Sequence, residues 1–83
     1  MRIIDEFFLD GCKVTLMSWN NRYLIKVEYD LLEQVFKLDQ FAVESAQQLR
    51  TLLDADFMAQ ARKRFEEMEE ALHQSLKRLQ QAG

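Results

Sequence analysis

Hydrophobic and polar residues follow two different rhythms along this chain. From Arg2 to about Leu38 apolar and polar side chains alternate, which is the period of an extended strand. From Asp54 to Gly83 the apolar residues recur instead at Met58, Ala61, Phe65, Met68, Leu72, Leu76 and Leu79, steps of three or four that average close to the helical repeat. The first stretch predicts a sheet, the last a long amphipathic helix.

Turn chemistry subdivides the sheet region. Asp10-Gly11 is the strongest short turn signal, because glycine and aspartate tolerate the positive φ of a two-residue hairpin; Asn20-Asn21 is a second. Two-residue turns at both fix a register. Across Asn20-Asn21, Trp19 falls opposite Arg22, Met17 opposite Leu24, Thr15 opposite Lys26 and Lys13 opposite Glu28, all on one face. The other face receives Ser18 with Tyr23, Leu16 with Ile25, Val14 with Val27 and Cys12 with Tyr29, nearly all apolar. Across Asp10-Gly11, Leu9 meets Cys12 and Phe7 meets Val14 on the apolar face. Phe8 with Lys13, Glu6 with Thr15 and Ile4 with Met17 lie on the mixed one, and Asp5 opposite Leu16 is the misfit.

A fourth strand, Glu33 to Leu38, can offer Phe36 and Leu38 to the apolar face and Val35 and Lys37 to the other. Its register is open, because the link Asp30-Leu31-Leu32 lacks glycine or asparagine. Two leucines at a hairpin tip either fold back on the core or lie against another chain.

After Asp39 the pattern changes. Ser45-Ala46-Gln47-Gln48 matches a capping box, and Ala46, Leu49, Leu52 and Leu53 form a short apolar face, which predicts a helix of two to three turns over 45–53. A single helix from Ser45 to Gln81 would span roughly 55 Å, too long for so small a sheet, so a break is expected at Asp54. Asp54 serves as N-cap of the long helix over 55–81, and Asp56 suits its positive start. Lys77 and Arg78 suit the negative end, and Gly83 can stop it. Arg62, Lys63, four glutamates over 66–70, His73, Gln74, Lys77 and Arg78 fill the face opposite the stripe.

The predicted fold is α+β and a single domain over 1–83: a four-stranded antiparallel meander over 2–38, then a short helix and a long C-terminal helix packed on one sheet face. A strand of about eight residues spans roughly 26 Å, whereas the long helix spans roughly 40 Å. Leu72, Leu76 and Leu79 are left beyond the sheet. Burying each is worth roughly 1.5–3 kcal/mol, and a second copy in a twofold homodimer is the simplest cover. Leu31 and Leu32 are candidates for the same interface.

Composition sharpens this. Eighty-three residues allow one thin core, and with 48% hydrophobic residues, two glycines and no proline the chain has almost no linker material. One cysteine, Cys12, allows no internal disulfide and fits a reducing, cytoplasmic setting. Acidic charge at Asp5 and Glu6 interrupts any signal-peptide core, and no uncharged run exceeds Val14 to Asn21, which argues against secretion and membrane spanning. A net charge of −3 supplies no overall field for duplex DNA.

Candidate chemistry is sparse. Cys12 falls on the apolar face as a small hydrophobe, His73 stands one turn after Glu69 as a surface ion-pair partner, and the glutamates of the long helix read as a solvated face. No glycine-rich phosphate loop, nucleophile with base, or metal constellation is visible, so no enzyme, cofactor or metal is expected. The outer sheet face holds more content. Lys13, Arg22, Lys26 and Lys37 are interleaved there with Phe8, Met17, Trp19 and Leu24, the cation and ring mixture that single-stranded nucleic acid uses. Glu6, Glu28 and Glu33 share that face and can pair the cations across strands, with Trp19 under Arg22 as a local stack.

Four meander strands followed by a helix, Arg2 to Gln81, resemble in element order the single-strand-binding regulators of the Whirly and Pur types. That resemblance implies a dimer with an open nucleic-acid-binding sheet face and carries no residue motif. The function expected is that of a small non-catalytic interaction domain that self-associates and contacts a macromolecular partner, a protein partner included. Single-stranded nucleic-acid binding through the open sheet face is the alternative.

Overall fold

A computed structural model describes residues 1–82. Four strands of eight residues each, β1 (Arg2–Leu9), β2 (Cys12–Trp19), β3 (Arg22–Tyr29) and β4 (Leu32–Asp39), form an antiparallel sheet in the order β1-β2-β3-β4. The residues of the first two turns all take positive φ: Asp10 51°, Gly11 79°, Asn20 51° and Asn21 61°. That is the left-handed backbone whose twist matches a tight hairpin. The β2–β3 register is the predicted one, from Lys13 opposite Glu28 to Trp19 opposite Arg22.

The third turn is Asp30-Leu31. Asp30 alone of the pair takes positive φ, 54°, which aspartate tolerates better than leucine. This fixes the register that sequence left open: Tyr29 faces Leu32, Ile25 faces Phe36 and Tyr23 faces Leu38. β4 is longer than expected at both ends, so Leu32 opens the strand and Asp39 closes it opposite Arg22.

β1 departs from expectation at one point. Ile3, not Ile4, stands opposite Met17, and a β-bulge between Ile3 and Asp5 absorbs the extra residue. The bulge resolves the misfit at Asp5. Ile4 turns to pack against the core, while the Asp5 carboxylate reaches Arg50 at 3.2 Å.

The apolar face is covered by two pieces of chain. After a 3-10 turn at Gln40–Ala42, a second 3-10 segment, Ala46–Leu52, buries Leu49 and is followed by buried Leu53. The predicted short helix is therefore 3-10, and its capping box does not form. The Ser45 side chain makes no capping bond, and the Gln48 Oε1 accepts instead from the Glu44 N–H at 2.8 Å. Arg50 from this segment sits 4.0 Å over the Phe7 ring, which holds the segment above β1.

The second cover is α1 (Ala55–Ala82), 28 residues long. Asp54 caps it as expected, its Oδ1 accepting from the Phe57 N–H at 2.8 Å. The helix runs on to Ala82, so Lys77 and Arg78 stand before its last turn; Gly83 lies outside the described residues. Met58, Ala61 and Phe65 are buried, Met58 and Phe65 in one cluster with Val14, Val27 and Leu49, with Phe57 edge-on to Phe36 at 5.1 Å and Phe65 5.8 Å from Tyr29. Phe65 thus meets the end of the sheet. Beyond it the helix projects, giving extents of 52 × 27 × 19 Å and a radius of gyration of 15.5 Å, against about 12 Å for a compact chain of this length.

Candidate interaction surfaces

Two surfaces collect the sequence-predicted residues. The first is the projecting part of α1. Met68 is half-buried, and every residue from Glu69 to Ala82 is exposed. Leu72, Leu76 and Leu79 keep 54%, 49% and 70% of their surfaces in solvent, because the sheet that would have covered them has ended. At that end, Leu31 is 95% exposed at the tip of the β3–β4 turn. Leu32 behaves differently. As the first residue of β4 it faces Tyr29 and packs against the core of its own chain, so of the two turn leucines it is Leu31 that stays exposed.

A hollow of about 100 Å³ lies beside this end, lined by Tyr29, Arg62, Phe65, Glu66 and Glu69. Two aromatic and three charged side chains line it. His73 and Glu69, one turn apart, form no ion pair; among the described residues the ion pairs are Lys26 with Glu28 and Arg50 with Asp5.

The second surface is the outer sheet face. Register places Phe8 with Lys13, Glu28 and Glu33 in one row, and Glu6 with Thr15, Lys26 and Val35 in the next. Ile3 with Met17, Leu24 and Lys37 follow, then Trp19 with Arg22 and Asp39. The centre of this face is dry. Thr15, Met17 and Leu24 are buried by the side chains around them, while Phe8, Trp19, Ile3 and Val35 are exposed. Lys13, Arg22 and Lys37 are exposed, and Lys26 is half-buried, its Nζ 3.6 Å from Glu28 on the same strand. The register adds Asp39 to the face, so four cations are matched by four carboxylates.

The arrangement offers little chemistry. Cys12 is fully buried, its Sγ 3.9 Å from the Asp10 carbonyl oxygen, and burial pushes its thiol pKa above the ordinary range. Arg62 draws it partly back down and Asp10 adds to the rise. Among the described residues, no three His, Cys, Asp or Glu side chains converge as metal ligands. Among the described residues no helix is long and apolar enough to cross a membrane.

Sequence reasoning missed Gln34. It occupies a core-facing position of β4, between Leu32 and Phe36, and its Nε2 donates to the Ala61 carbonyl oxygen at 2.8 Å. Its Oε1 accepts from Arg64 Nε at 3.0 Å. The available signal was a polar residue two positions from Phe36 on an apolar face, which must find partners when covered.

Comparisons with protein-family models, curated proteins and solved structures found no match.

Proposed function

We propose that this chain is a small non-catalytic interaction domain that associates with a second copy of itself through the distal half of α1, and presents its remaining surface to a macromolecular partner. One observation carries this reading: the apolar stripe continues for three leucines past the last residue of its own sheet, and nothing in the same subunit covers it. Exposed leucines in an ordered helical row are the usual mark of a contact surface, and twofold pairing is the commonest way to close one. Leu31 extends the patch at the sheet end.

The test is solution mass. A 9.9 kDa chain should sediment as a particle of about twice that mass, and Leu76→Lys with Leu79→Lys should return it to monomer with its fold intact. An unchanged mass in the double variant would remove the interface.

Single-stranded nucleic acid at the outer face is the second reading. Exposed Phe8 beside Lys13, and exposed Trp19 beside Arg22, favour it. The balance of four cations against four carboxylates weakens it, since such binding draws most of its strength from phosphate neutralisation.

A further inference from the structure

We infer that β4 is a further contact surface, separate from the stripe on α1, and that it pairs antiparallel with β4 of a second copy about a twofold axis at Val35. β4 has no neighbour beyond it in the sheet, and its pairing with β3 runs from Leu32 to Asp39 without a bulge. Its two ends fix the bonding phase. Leu32 closes a two-residue turn opposite Tyr29, and just past the other end the Gln40 N–H donates to the Asn21 carbonyl oxygen at 3.2 Å. Leu32, Gln34, Phe36 and Leu38 therefore direct their backbone groups to β3. Glu33, Val35 and Lys37 direct theirs outward, and among the described residues no hydrogen bond reaches them. Their side chains are exposed, and Leu32, Phe36 and Leu38 on the apolar face are only half-buried, so this margin is open on both faces.

Charge says what fits there. Glu33 stands directly opposite Glu28, whose cation is Lys26 at 3.6 Å on the same strand, and like charges so placed repel. Lys37 stands opposite Leu24. Among the described residues neither Glu33 nor Lys37 belongs to an ion pair. A second β4 turned about Val35 supplies both partners: its Lys37 falls opposite Glu33, its Glu33 opposite Lys37, and Val35 meets Val35. These side chains share the outer face, so each opposite pair is a direct cross-strand contact. On the apolar face Leu32 falls opposite Leu38, and Gln34 opposite Phe36.

Neighbouring registers fail. Sliding one copy by a single bonding step sets Glu33 against Asp39 in one direction. In the other it sets Glu33 against Val35 and carries Lys37 past the end of β4 to Leu31. The order of charges along β4 thus selects one register. In it, all the outward backbone groups of Glu33, Val35 and Lys37 are used, and the same edge on both copies closes the contact at two.

The test uses the Leu76→Lys, Leu79→Lys chain, which lacks the α1 contact, so that any pairing left reports on β4. Sedimentation should show it monomeric at micromolar and dimeric toward millimolar concentration. Adding Glu33→Lys puts a cation opposite Glu28 within the chain and lysine opposite lysine across the seam. The fold is kept while the dimer dissociation constant rises by about tenfold or more, and E33K/K37E restores it. Val35→Pro removes an outward N–H, which an edge strand tolerates, and should abolish pairing. Circular dichroism checks the fold of each variant. In the paired chain the backbone amides of Glu33, Val35 and Lys37 should exchange hydrogen at least about tenfold more slowly than in the dilute one. A chain that stays monomeric to millimolar concentration, that pairs equally well with E33K, or whose three amides stay unprotected when paired overturns the seam. The α1 contact stands or falls separately, on the mass of the native chain at micromolar concentration.

Discussion

Arg64 and Gln34 are joined at 3.0 Å, Nε to Oε1, and the other end of the same amide donates to the Ala61 carbonyl oxygen at 2.8 Å. Both ends of the Gln34 side chain are thereby used on α1. The Arg64 guanidinium also sits 5.7 Å over the Phe36 ring, so β4 and α1 are locked shortly before the helix leaves the sheet. Apolar packing tolerates small slides and rotations, whereas directed hydrogen bonds do not. The pair sets the phase of the rod, and with it the direction in which Leu72 faces about two turns further on.

Gln34→Leu should therefore cost about 1–2 kcal/mol, the typical loss for partly buried hydrogen bonds of which one involves a charged donor. Urea unfolding followed by circular dichroism reads it as a lower midpoint at constant slope. A midpoint equal to native would mean that the amide contributes nothing to docking.

Cys12 should resist modification in the folded chain. Its folded-state pKa lies above the unfolded value, chiefly from burial, so the folded thiol holds its proton more tightly. The stability this linkage carries is fully present below the ordinary thiol pKa of about 8.5 and declines as pH rises beyond it, because the unfolded thiol ionises first. Thiol-reagent kinetics at pH 7.5 should track global unfolding, and Cys12→Ala should flatten the fall in stability between about pH 8 and 10. Rapid labelling of the native chain would contradict the burial.

Trp19 provides a direct test of the outer face. Its indole is half exposed beside Arg22, so a base stacked there would quench its fluorescence. With four cations offset by four carboxylates, the expected result is a flat titration against single-stranded oligonucleotides even at low salt. Quenching that saturates and is reversed by salt would move nucleic acid to first place.

Most of the sheet was legible because its first two turns are made of residues that prefer positive φ. Asp10-Gly11 and Asn20-Asn21 leave one register that sorts Val14, Leu16, Ile25 and Val27 to the same face, and the structure has it. Asp30-Leu31 gives no such signal, so the β4 register, with Leu32 in the strand and Asp39 opposite Arg22, could not be read. The bulge at Ile4 was foreshadowed only by the misfit of Asp5 against Leu16. Its cause is tertiary: Arg50, 45 positions away, supplies the partner that Asp5 needs. Similarly the 3-10 form of Ala46–Leu52 follows from close seating of Leu49 and Leu53 on the sheet, which outweighs the local capping pattern. The projection of α1 was legible from arithmetic on lengths, whereas the clamp through Gln34 required knowing which strand lies beneath Ala61.

The kink in β1 has an effect beyond seating one isoleucine. It interrupts the outer margin of the first strand just where a neighbouring molecule would begin to add its own backbone, and it leaves Asp5 and Glu6 standing there. Backbone addition through that margin is obstructed, because a bulged strand offers no regular hydrogen-bond ladder to extend.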